Sequence, residues 1–103
     1  MKVLAAEPAS RGDRPASAVL YDHAHARVVG FHLLPGQSVP EHRSDSTVTI
    51  HVLEGSGTFR GSSGSATLRS GQVAVYEAGE PHSIDAGTEP LRFLAIITPR
   101  PAG

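Results

Sequence analysis

From Leu34 to Pro90 the chain is broken by a turn signal every few residues: Pro35-Gly36, Gly55-Ser56-Gly57, the stretch GSSGS at 61–65, Ser70-Gly71, AGEP at 78–81 and GTEP at 87–90. Glycine takes the positive φ of such reversals without steric cost, so this punctuation is built into the backbone. Nowhere between the signals is there a run of helix formers at 3.6-residue spacing long enough for a stable helix, which on its own needs about 12–15 residues. These stretches are rich in Val, Ile, Leu and Thr, the residues that suit a pleated surface. The reading is a series of strands at 17–22, 26–34, 47–54, 58–60, 66–69, 72–76, 82–86 and 91–98. Thr47–Glu54 alternates well, with Val48, Ile50 and Val52 on one face and Thr49, His51 and Leu53 on the other. Short, evenly spaced strands of this kind make an all-β fold, an antiparallel sandwich or barrel.

The 103 residues suffice for one domain. We divide the chain into an N-terminal arm (1–17), a barrel (18–98) and a C-terminal tail (99–103). Residues 7–17 (EPASRGDRPAS) are polar and aperiodic, an extended arm that packs on the barrel or on a second subunit. A barrel this small exposes sheet edges, which predicts a homodimer. Nine basic and ten acidic residues are scattered to a formal net charge of −1, which gives no footprint for nucleic acid or an anionic membrane. Without cysteine there is no disulfide, thiolate metal site or thiol nucleophile. Val3–Ala6 is too short for the core of a signal peptide, and no segment reaches the ~18 apolar residues of a membrane span. The expectation is a cytoplasmic protein.

Two segments carry chemistry. Residues 36–55 read GQSVPEHRSDSTVTIHVLEG, and residues 71–87 read GQVAVYEAGEPHSIDAG. The first resembles the cupin motif G-x5-H-x-H-x3-E-x6-G, with Gly36, His42 and Gly55 in register. The second resembles its partner motif G-x5-P-x-G-x2-H-x3-N, with Gly71, Gly79 and His82 in register. The resemblance covers roughly 26–98 and implies an antiparallel double-stranded β-helix, or jelly-roll, barrel. It also implies a pocket for a divalent transition metal (Zn, Ni or Fe) held by His, His, Glu and His. Only His42 and His82 match that set: Ser44 and Val48 stand at the other two positions, and Glu77 and Ala86 replace the second motif's Pro and Asn. Serine is a poor ligand for such a metal and valine none.

His51 is the candidate third metal ligand. Strict alternation turns it away from Val48 and Ile50, whereas a bulge between 44 and 51 would bring it in. His32 is a pocket or a surface residue, and His23 and His25 are either a chelating pair or two solvated turn histidines. The expected ligand pocket comprises His42, Ser44, Val48, Ile50 and His82, with Val52, Val73, Val75 and Ile84 adding apolar wall. An apolar cup with a polar spot suits a small, mostly apolar organic ligand. Three readings stay open: a metal-dependent binder or enzyme, a metal-free ligand-binding or sensing module, and a barrel whose histidines do nothing.

Overall fold

The structure, a computed structural model, describes residues 1–6 and 14–101. Residues 7–13 of the expected arm and 102–103 of the expected tail lie outside the described residues. The strands are β1 (Ala16–Asp22), β2 (Arg27–Leu33), β3 (Ser38–His42), β4 (Thr47–Glu54), β5 (Ser56–Gly61), β6 (Gly64–Arg69), β7 (Val73–Tyr76), β8 (His82–Ala86) and β9 (Leu91–Thr98). They form two antiparallel sheets, a five-stranded one in the order β1-β2-β9-β4-β7 and a four-stranded one in the order β3-β8-β5-β6. Phe59 of the smaller sheet meets Phe93 of the larger one edge to face at 5.7 Å, and Phe93 stacks on Phe31 at 4.7 Å. Around them Leu33, Ile50, Val52 and Leu91 are almost wholly enclosed. Each such side chain contributes about 1.5–3 kcal/mol of burial.

The first turn of the fold that has no latitude is at Gly55. Its φ is +79°, and a Cβ there would lie 1.8 Å from the Pro90 carbonyl oxygen. The glycine is required both for its backbone angle and for the close passage of the 87–90 loop.

Two expectations are corrected. First, β3 was not among the strands read from the sequence. Its residues, SVPEH, are polar and contain Pro40, which cannot donate to a ladder; β3 accordingly sits at an edge of the smaller sheet. Second, Val73 and Val75 do not line the interior. They are 56 % and 54 % exposed, and the inward residues of β7 are Ala74 and Tyr76, which pair with the inward Ile50 and Val48 of β4. Residues directly opposite in an antiparallel pair share a face, so the register of β4 decides the matter.

Candidate functional site

His42 and His82 are cross-strand partners of β3 and β8. Strict alternation would not place His42 on the inner face. Val39 faces inward opposite Ile84, and His42, three residues on, would point out. The pairing shifts between Val39 and His42, so that β3 carries one residue more than β8 across this interval. That bulge turns His42 to the side of Val39 and sets it opposite His82. The two Nε2 atoms are 3.0 Å apart, with ring centroids at 4.1 Å. His82 is 3 % exposed, whereas His42 stands open to solvent, so the pair runs from the interior to the rim.

Each ring is oriented through its other nitrogen. His42 Nδ1 lies 3.0 Å from the Pro40 carbonyl and His82 Nδ1 lies 3.0 Å from the Glu80 carbonyl. A carbonyl only accepts, so both Nδ1 atoms donate and both Nε2 atoms face one another. Burial holds His82 below the ordinary histidine value, and charge on His42 acts in the same direction, against the Glu80 carbonyl and carboxylate. The Tyr76 ring lies on His82 at 4.5 Å and 20°. Burial, followed by the Glu80 carboxylate, pushes the Tyr76 phenol up to about 12. The Glu80 carboxyl is held below its usual range by the backbone N–H of Ser62, then by that of Glu77, then by the Ser62 hydroxyl.

The pair closes one side of a cavity of about 220 Å³ between the sheets. Of the residues expected there, His42, Ser44, Val48, Ile50, His82 and Ile84 line it. Val52 is buried in the core beside it. Besides Val39, four wall residues were not foreseen from the sequence: Phe31, Phe93, Ala95 and Ile97. The alternation of Leu91, Phe93, Ala95 and Ile97 along β9 was the signal available for three of them. Val39 also lines the cavity and went unread with its strand.

His51 is not brought to the pair. β4 alternates without interruption from Thr47 to Val52, and its irregularity falls only between Val52 and Glu54. His51 therefore shares the outer face with its partners Val73 and Leu94. His32 is buried but follows the cavity-lining Phe31, and so takes the other face, opposite Arg92. His23 and His25 are exposed in the β1–β2 turn with ring centroids 6.2 Å apart. Among the described residues no group of three or more His, Cys, Asp or Glu side chains could hold a metal ion, and no helix is long and apolar enough to cross a membrane.

Comparison with known proteins places this geometry in context. A family profile described as "Cupin domain" matches residues 30–97. The Oxalate-binding protein of Thermotoga maritima is 36 % identical over 67 residues, which span 63 % of this chain and 55 % of that protein. The chain thus matches little more than half the length of that relative. Among solved structures, an uncharacterized conserved protein with a double-stranded β-helix domain from Klebsiella pneumoniae superposes with a TM-score of 0.84 at 27 % identity, covering 95 % of this chain and 87 % of that one. A predicted oxalate decarboxylase from Thermotoga maritima superposes with a TM-score of 0.73 at 27 % identity, covering 82 % and 79 %. The antiparallel jelly-roll expected from the sequence is the fold of this chain.

Proposed function

The chain belongs to the cupin family, and from that premise we propose that it binds a small organic molecule in the chamber between its sheets, with the His42–His82 pair as the anchor for the ligand's polar end. The observation that carries this reading is the placement of two facing imidazole nitrogens, 3.0 Å apart, on an otherwise apolar chamber. One buried and one open histidine let a ligand enter at the rim and make its polar contact there while its body meets Phe31, Ile50, Phe93 and Ile97. The similarity to a protein named for oxalate binding supports a small carboxylic acid as the first ligand to try; it would be taken up with its proton, which gives one of the facing Nε2 atoms an N–H to donate to the carboxylate.

A second reading adds a divalent metal, Zn, Ni or Fe. The facing Nε2 atoms favour it, because both are lone-pair donors once Nδ1 is committed to a carbonyl. The rest of the donor set does not fit a resident metal. Durable sites of this kind use three or four protein ligands. Here Ser44 and Val48 occupy the remaining positions of the motif, and the Ser44 hydroxyl already accepts from the Ser46 N–H. The ligand-binding reading therefore stands without a metal, and catalysis is not part of it.

The test is calorimetric titration of chelator-treated protein with oxalate and with benzoate, repeated on His42→Ala and His82→Ala. Saturable binding weakened tenfold or more in both variants is expected, a change of about 1.4 kcal/mol. Absence of binding by either carboxylate would overturn the proposal. Near-stoichiometric uptake of Zn, Ni or Fe that disappears in His42→Ala would replace it with the metal-dependent reading.

A homodimer and a cytoplasmic setting complete the proposal. The exposed valines of the edge strands β1 and β7 support the first. A chain that has no cysteine, and so needs no oxidising compartment, is consistent with the second.

A further inference from the structure

The direction of His82 is set from outside the chamber. Residues 77–80 turn the chain from β7 into β8, and Glu80 gathers that turn. One carboxylate oxygen accepts from the Glu77 N–H at 3.0 Å, which closes the turn on itself. The other accepts from the Ser62 N–H and the Ser62 hydroxyl, each at 3.0 Å, and so ties the turn to the tip of the β5–β6 hairpin. The backbone carbonyl of the same residue accepts from His82 Nδ1. One residue thus anchors the turn with its side chain and orients the imidazole with its main chain.

The neighbours are shaped around this arrangement. A Cβ at Gly61 would lie 2.6 Å from the Glu80 carboxylate and 3.1 Å from the Tyr76 ring. Gly61 has no left-handed backbone angle to satisfy, so the space itself is what a side chain would take away. Tyr76 then covers the face of His82.

We infer that Glu80 is the positioning residue of the histidine pair: by pinning the 77–80 turn to the β5–β6 hairpin it holds His82 in the Nδ1–H tautomer with Nε2 aimed at His42. The inference rests on the pair being the ligand anchor, but it is decided by a measurement that needs no ligand. Where an imidazole ligates a metal, loss of the outer residue that fixes its tautomer costs about 10–100-fold in metal affinity or activity, and a loss at the lower end of that range is the expectation for an organic ligand held by the same kind of ring.

The experiment is long-range proton–nitrogen NMR on histidine-labelled protein, which reads the tautomer of His82, paired with benzoate titration. Wild type is expected to show the Nδ1–H form. Glu80→Ala is expected to populate the Nε2–H form and to weaken benzoate about tenfold, while Glu80→Gln, which keeps an acceptor oxygen, falls between. Asp85→Asn is the control for general loosening of β8, since Asp85 accepts from Ser38 and pairs with Arg60 away from the chamber. It should lower the melting temperature and leave the tautomer alone. An unchanged tautomer in Glu80→Ala, or the same change in Asp85→Asn, overturns the inference. If Glu80→Ala does not fold, Ser62→Ala decides: a smaller shift in the same direction supports the role, and none overturns it. Failure of wild type to bind benzoate would count against the ligand reading only, because the tautomer is read in the free protein.

Discussion

Tyr76 illustrates how one atom can work against the rest of its side chain. Its ring is buried against His82, yet its hydroxyl is sealed from solvent and meets no hydrogen-bond partner among the described residues. A buried, unsatisfied hydroxyl costs about 1–3 kcal/mol. Tyr76→Phe is therefore expected to leave stability unchanged or raise it within that range, as urea unfolding would show. A loss of more than 1 kcal/mol would mean that the hydroxyl has a partner. The pH dependence carries the same signature. The folded phenol, raised to about 12, resists ionisation that the unfolded chain undergoes near its ordinary value of 10. Stability should fall as pH climbs from 10 towards 12, and the variant should lack that fall. The resemblance to the two cupin motifs was enough to single out His42 and His82. Tyr76 and Glu80 were not legible, because their roles arise from contacts with β8 and the β5–β6 tip that no local pattern records.

Among the elements, β4, β8 and β9 run just where the alternation and the flanking glycines place them. The strands that were misread are at sheet edges. In β7 the pattern VAVY offers valines to one face and Ala and Tyr to the other, and hydrophobicity alone favours the wrong choice; pairing with β4 overrides it. β3 is polar because one side of it is solvent, so it has little hydrophobic signal to give. The hairpin of β1 and β2 carries its own prediction. Asp22 accepts from Arg100 at 2.7 Å and from Arg27 at 3.2 Å, fastening the C-terminal segment beside the β1–β2 turn. Arg100 and then Arg27 hold its carboxyl below the usual value of 3.8. A lowered carboxyl contributes stability above its unfolded value and loses it as pH falls through the folded one. Asp22→Asn should therefore melt below wild type at pH 7, with the gap closing under acid conditions below 3.8. A gap that persisted there would show that the ion pairs are not its source.

For the whole molecule, the exposed large apolar residues among those described fall in few places. Val19 lies on β1, Val73 and Val75 on β7, and Met1, Val3 and Leu4 in the leading segment. β1 and β7 are the two edges of the same five-stranded sheet. β7 carries no charge and no proline, the features by which edge strands usually discourage pairing. Light scattering at micromolar concentration is expected to give a dimer, and Val73→Lys with Val75→Lys a monomer that retains its circular dichroism. A wild-type monomer would remove the dimer from the proposal.

The bulge in β3 gives the pocket an unusual genetic address. His42 faces the chamber because of one additional residue between it and Val39. Loss of a single codon at 40 or 41 would leave all the pocket side chains encoded and yet turn His42 to solvent. A scan that only exchanges one amino acid for another would pass over this control, whereas a scan of single-codon deletions would meet it at once.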